Sequence, residues 1–185
     1  MKICQDTIIK LPVLETERLI LRHYKDADLP AYYEMMAEPD VTRYLFSGKP
    51  MSEHDAWRSM ATMAGHWMLN GYGQWALEEK SSGQFVGRAG LIKPEGWPAI
   101  EAGWVLHKNA WGKGYATEAG RAVIRYGFET MNLERVISLI QPDNTPSIKV
   151  AQRLGESLSK KITLFGIDAL EYAIDKETYL RRYKE

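Results

Sequence analysis

Two glycines and a lysine stand together in NAWGKGYATEA, Asn109 to Ala119, between an alternating apolar stretch and a run with helical spacing. A helix N-terminus leaves its first N–H groups unpaired and carries a partial positive charge, so it stabilises an anion with few basic residues. Gly112 and Gly114 have no Cβ to hold that anion at a distance, and Lys113 adds a charge. The chemistry indicated is phosphate binding by backbone amides. Two common phosphate turns are excluded. A P-loop needs Ser or Thr directly after Gly-Lys, where Gly114 stands, and a glycine at position 107, which is His107. A dinucleotide fingerprint needs a third glycine where Thr117 sits. Taken alone, a G-x-G turn also serves simply to join a strand to a helix. His23, His54 and His66 fall at no metal-ligand spacing, so no metal is expected.

The rest of the chain sets limits on the anion. Of 185 residues, 45% are hydrophobic and 26% charged, enough for one domain with a real core. Lysine plus arginine (24) balances aspartate plus glutamate (24), which leaves no global field for nucleic acid or an anionic membrane. An anionic ligand must therefore be held locally. Cys4 is the only cysteine and precedes the first regular element, which fits a reducing cytoplasm and argues against a cysteine nucleophile. The first fifteen residues carry no sustained apolar run, so neither signal peptide nor membrane span is expected.

Several elements have to position the turn. ERLILRHY (17–24) reads as a first strand. DADLPAYYEMMAE then reads as a helix with Asp28 as cap and Pro39 ending the run. Ser52 opens a second helix whose Trp57, Met60, Ala61, Ala64, Trp67 and Met68 recur at helical spacing and are expected in the core. Residues 74–92 read as an antiparallel hairpin around SSG, and AIEAGWVL as a further strand. Tyr72 and Trp75 at the hairpin start suit either the core or an acceptor pocket. From Tyr115 to about Met131 a helix carries small residues on one stripe, and ERVISLIQ after it completes a crossover with parallel neighbours. PDNTPS opens another helix ending near Gly155; two weaker strands, 158–163 and 169–174, and a short polar helix follow. This order predicts one α+β domain with a core over about 14–175. Its mixed, mostly antiparallel sheet has about seven strands, helices on both faces, and a ligand crevice where the single parallel pair diverges.

The segment EAGWVLHKNAWGKGYATEAGRAVIRYGFETMNLERVISLIQPDNTPSIKVAQRLG resembles the acyl-CoA binding core of GNAT-superfamily N-acetyltransferases, in the RimJ/RimL-like branch, and LETERLILRHYKDADLPAYYEMMAEPDVTRYL resembles the opening of the same branch. The resemblance covers roughly residues 14 to 155. It implies acetyl-CoA as co-substrate, its pyrophosphate held by the amides of Trp111, Gly112, Lys113, Gly114, Tyr115 and Ala116. It implies that the strand end at Val105, Leu106 and His107 pairs with the pantetheine and polarises the thioester, that Asn144 meets pantetheine, that Ser147 lies near the sulfur, and that Arg153 reaches the adenosine phosphate. Two positions depart from the family pattern. Asn109 replaces a Gln or Arg, and Glu156 replaces an aromatic or apolar residue.

The reaction so implied is direct transfer of an acetyl group to a primary amine, on a protein N-terminus or a small molecule, in a ternary complex. The amine must lose a proton to attack, so a base or a water chain is required. Glu101 is the candidate base, against the reading of an exposed strand residue in a polar row. Leu106 N–H, with Val105 as neighbour, is the candidate oxyanion donor. Ser147 orients the departing sulfur or caps its helix, and His107 relays a proton or is merely solvated. The alternative function is a catalytically silent coenzyme A binding or sensing module, motivated by Asn109 and Glu156. No nucleic-acid or membrane partner is expected, and the chain is either a monomer or a homodimer.

Overall fold

Branched and aromatic residues fill the expected strands, and in the computed structural model, which describes residues 11–45 and 48–183, they form one eight-stranded sheet. Its strands are β1 (Leu14–Glu15), β2 (Leu19–Arg22), β3 (Gln74–Glu79), β4 (Phe85–Ile92), β5 (Glu101–Leu106), β6 (Arg135–Ile140), β7 (Ser157–Leu164) and β8 (Ile167–Asp175). They lie in the order β1-β2-β3-β4-β5-β6-β8-β7, and every neighbouring pair is antiparallel except β5 with β6. The strand beyond the expected seven is the two-residue β1. Cys4 lies outside the described residues.

Among the described residues six α-helices accompany the sheet: α1 (Leu29–Ala37), α2 (Pro39–Thr42), α3 (Glu53–Asn70), α4 (Tyr115–Arg125), α5 (Thr145–Arg153) and α6 (Lys176–Tyr183). Ser52 caps α3 by accepting the Asp55 N–H, and Gly71 at φ 73° ends it. Asp28 does not cap α1 with its side chain; its carboxylate accepts instead from the Arg22 guanidinium and from Lys25 N–H. Pro39 ends α1 and also starts α2, since a first-turn residue needs no N–H. The buried line of α3 is Ala56, Met60 and Trp67. Trp57 and Met68, expected in the core, are 51% and 58% exposed, because each lies one residue, about 100° of helix, past that line.

Two apolar layers fix the sheet. On one face α4 lays Ala119, Val123 and Ile124 against Leu77, Leu91 and Ala102; on the other, Tyr32, Met35 and Met36 of α1 and Met60 of α3 meet Ala76, Phe85 and Val105. The expected helix to Met131 is α-helical only to Arg125, then widens into a π-type turn over Tyr126–Thr130 that buries Gly127 and Phe128 together. At Gly120 a Cβ would lie 2.7 Å from Leu154 Cδ1, so this glycine lets α4 and the end of α5 touch. The feature that matters most for a site is the parallel pair. Ile137 N–H donates to Ile100 O at 3.1 Å, the register pairs Glu101 with Ile137, and past that point the strands part. No helix among the described residues is long and apolar enough to cross a membrane.

Candidate active site beside the parted strands

A groove of about 1200 Å³ runs from Trp104–Leu106 of β5 across the N-termini of α4 and α5 to Asp40–Leu45. Gly112 and Gly114 stand at φ 76° and 82°, the left-handed region that side chains disfavour. A Cβ on Gly112 would meet open space, so conformation rather than crowding requires glycine there. The first helical bond of α4 is Glu118 N–H to Gly114 O at 3.1 Å, which leaves the N–H groups of Tyr115, Ala116 and Thr117 as the open first turn on the groove. This arrangement suits an anion held by backbone.

The loop has a strut that no local pattern announces. Arg18 donates from Nη1 to Lys113 O at 2.9 Å and from Nε to Glu118 Oε2 at 2.7 Å, and its own N–H donates to Glu118 Oε1 at 2.8 Å. Thr16 Oγ1 adds a 2.6 Å bond to the same carboxylate. Both residues lie about a hundred positions upstream, so only the folded sheet brings them to the turn.

The expected binding residues divide into those that line the groove and those that shape it. Trp111, Gly112, Gly114, Tyr115, Ala116, Asn144, Ser147 and Arg153 line it. Lys113 does not: its Nζ lies 3.5 Å from Glu79 and 5.7 Å from the centre of the Tyr115 ring, so its charge is drawn off the groove, while Arg121, Lys149 and Arg153 supply cations along it. The Tyr115 hydroxyl donates to Glu79. His107 is also outside the groove; its Nδ1 accepts from Asn109 N–H at 3.2 Å and its Nε2 lies 3.6 Å from Glu34. It closes the turn rather than facing a ligand. The cap of α5 is Asn144, whose Oδ1 accepts from Ser147 N–H at 3.3 Å, leaving the Ser147 hydroxyl and the Asn144 NH₂ for the groove.

Strand parity decides which β5 amides face the gap. His107 N–H donates to Val86 O at 3.0 Å, and a Cβ on Gly87 would strike Val105 O at 2.4 Å, so the backbone of Val105 points to β4. Val105 thus belongs to the groove lining but does not turn its backbone to the gap as expected, and its side chain is buried with Ala76 and Phe85. By alternation Trp104 and Leu106 turn theirs toward the parted side. The Leu106 carbonyl there accepts from Trp111 Nε1 at 3.0 Å. Trp104 is the residue that sequence reasoning missed, and the strand register is what would have found it.

Glu101 sits where the strands separate, half-buried and outside the groove lining. Trp97 Nε1 donates to its Oε2 at 2.5 Å and Leu139 N–H to its Oε1 at 3.3 Å, and the Trp97 ring packs on Phe165 from the β7–β8 turn. Burial pushes its carboxyl up to about 7, with the Trp97 and Leu139 bonds and the nearby Arg88 charge pulling the other way. It is therefore no exposed residue of a polar row, and it is poised to exchange a proton near neutrality. Glu156, 3% exposed, lies 3.0 Å from Ser138 Oγ, and burial pushes it up to about 8. Among the described residues no group of three or more His, Cys, Asp and Glu could hold a metal ion.

Comparison with known proteins bears on this arrangement. Residues 18–156 match the family model described as an acetyltransferase (GNAT) domain. Over 147 residues the chain is 34% identical to the protein of Bacillus licheniformis named Uncharacterized N-acetyltransferase p20, covering 78% of this chain and 82% of that one. It is similar to the solved acetyltransferase from Agrobacterium tumefaciens str. C58, at 32% identity and a TM-score of 0.80 over 92% of this chain and 98% of the other. At 17% identity it shares the fold of RimL, a ribosomal protein alpha-N-acetyltransferase solved in complex with coenzyme A, with a TM-score of 0.74 over 90% and 99% of the two chains.

Proposed function

The chain belongs to the GNAT acetyltransferase family, and from that premise we propose that it transfers the acetyl group of acetyl-CoA directly to a primary amine, on a protein N-terminus or a small molecule. One observation carries the reading. The N-termini of α4 and α5 open onto one groove that ends at the outward-turned backbone of β5. A pyrophosphate suits the first, pantetheine and thioester the remainder.

The residues then take separate tasks. The amides from Gly112 to Thr117 hold the pyrophosphate, and Arg153 meets the adenosine phosphate. Asn144 offers its NH₂ to the pantetheine arm. Leu106 N–H and Trp104 N–H receive the thioester oxygen as negative charge develops on it, which a fixed donor stabilises without reorganising. Ser147 orients the sulfur that departs. Glu101 takes a proton from the substrate ammonium and so frees the neutral amine that attacks; it stands three residues before Trp104, about 10 Å along the strand, so water carries the proton across. The bonds balance: nitrogen gains the acetyl carbon as the carbon–sulfur bond breaks, the first ammonium proton passes to Glu101, and the second leaves the nitrogen with the departing sulfur as the coenzyme A thiol.

Incubating the purified protein with acetyl-CoA and a panel of amines (peptides with ribosomal N-termini, polyamines, amino acids, aminoglycosides) tests this. The expected result is thiol release dependent on an amine. Acetyl-CoA at a hundred times its dissociation constant should also stabilise the fold by about 2.7 kcal/mol. Stabilisation with silence across the whole panel favours a coenzyme A binding module instead.

A further inference from the structure

Glu156 is the buried carboxyl that the proposed chemistry leaves unused. It lies where α5 passes into β7, its N–H donating to Ala151 O at 3.0 Å. Its Oε1 is 3.0 Å from Ser138 Oγ, and the same hydroxyl is 2.8 Å from Ala102 O. A serine hydroxyl has one proton to give, and a carbonyl oxygen can only accept. Both contacts are hydrogen bonds at once only when the Ser138 proton goes to Ala102 O and Glu156 itself carries a proton and donates it to Ser138. Its other oxygen, Oε2, is buried with no hydrogen-bond partner among the described residues, a place that penalises an ionised carboxylate.

The packed neighbours bring no compensating charge. Glu101 of β5 acts on it with like sign, and burial with that charge pushes its carboxyl up, opposed by Ser138 alone. Tyr172 of β8 stands beside Ser138 in register. From α6, Arg182 crosses Gly155 to donate to Arg153 O at 3.2 Å, and Tyr183 donates to Leu154 O at 3.1 Å.

Ala102 O is also the next rung of the parallel ladder. A ladder running on from Ile137 N–H to Ile100 O would place Leu139 N–H on Ala102 O. Here Leu139 N–H goes to Glu101 Oε1, and Ser138 fills Ala102 O. The rung is replaced from both faces of the sheet, by Glu101 on one and by Ser138 with Glu156 on the other.

We propose that Glu156 is a positioning residue that works as a neutral acid: it donates to Ser138, Ser138 donates to Ala102 O, and Leu139 N–H is thereby left to Glu101, so that β5 and β6 stay parted and the base stays oriented. When Glu156 gives its proton to solvent, the Ser138 proton turns to the new carboxylate and Ala102 O is free to take Leu139 N–H. The rung closes, the gap narrows, and Glu101 loses a donor. This role rests on the reading of Glu101 and the groove given above.

The test has one readout that needs no turnover. In the Glu101→Gln variant at neutral pH, infrared spectroscopy should show the carbonyl stretch of a protonated carboxyl, and Glu101→Gln with Glu156→Gln should lose it; absence of that band in the first variant overturns the proposal whether or not the protein transfers acetyl groups. The second readout is acetyl-CoA affinity by calorimetry on either side of pH 8, where Glu156 titrates. The wild type should weaken by about fivefold across that range, the worth of one hydrogen bond. Glu156→Gln, whose amide donates to Ser138 at every pH, should hold its affinity. Ser138→Ala should be weak throughout, with its activity profile moved to higher pH because Glu101 has lost the Leu139 N–H. An equal pH dependence in wild type and Glu156→Gln overturns the latch.

Discussion

The two ends of β5 are built by opposite means. At its C-terminal end the groove is made of backbone: left-handed glycines, the open turn of α4 and the amides of Trp104 and Leu106. At its N-terminal end the polar atoms are side chains, Glu101 with Trp97 on one face and Ser138 with Glu156 on the other. Backbone donors have fixed positions and no pKa, so they suit a permanently charged phosphate. Carboxyls that burial has moved toward neutrality suit a proton. Substitutions in the groove backbone should therefore change acetyl-CoA binding and those at Glu101 turnover and its pH dependence, while Ser138 and Glu156, which hold the gap between β5 and β6 open, should be felt at both.

The largest expected effect is at the proton end. Glu101→Gln should lower kcat by roughly 10²–10⁴-fold, the usual contribution of a general base, while the thermal shift given by acetyl-CoA stays as in wild type. In the wild type, the base must be ionised and its carboxyl is raised to about 7. Hence kcat/KM should fall about tenfold per pH unit below 7 and level off above it. An acid limb near 4.5, or loss of acetyl-CoA binding in Glu101→Gln, breaks the division.

The same contrast explains what was legible in the sequence. The glycine turn could be read because its requirement is local, two glycines and a helix start within a few residues. The succession of strands and helices, with a crossover that makes one pair parallel, was readable from local periodicity, whereas the place of β8 between β6 and β7 was not. The environment of Glu101 was not, because Trp97, Leu139, Arg88 and Phe165 converge on it only through sheet register and the β7–β8 turn. Lys113 misled in the opposite way. Its place beside the glycines suggested a phosphate ligand, yet Glu79 across the sheet draws its ammonium aside. Trp57 and Met68 show how little a helical stripe tolerates, since one residue of phase separates core from solvent.

Gly114→Val is the next strongest change. A β-branched residue forced to φ 82° costs about 1–2 kcal/mol and turns the loop amides away from the groove. KM for acetyl-CoA should rise about tenfold, with kcat at saturation little changed and the melting temperature lowered. A fall in kcat at unchanged KM would show that the two ends are not separable.

Arg18→Met probes the strut under the same loop. It removes the donor to Lys113 O and leaves Glu118 with Thr16 as its remaining side-chain donor. Because Arg18 is well exposed and its bonds compete with water, the expected rise in KM for acetyl-CoA is about three- to fivefold, smaller than for Gly114→Val. Steady-state kinetics at low and high salt should show the difference from wild type shrinking as salt screens the Arg18–Glu118 pair.

Asn109→Gln should do least, and its smallness is informative. The position departs from the Gln or Arg of the resembling family, yet Asn109 lies outside the groove lining and its N–H donates to His107 Nδ1. That bond belongs to the backbone, so any side chain at 109 can keep it. An exposed substitution away from a ligand changes energies by less than about 0.5 kcal/mol, so KM for acetyl-CoA should move by no more than about twofold. A several-fold tightening on restoring Gln would mean that a side chain, and not the backbone alone, holds the phosphate end. The contrast between the two ends of β5 would then have to be redrawn at Asn109.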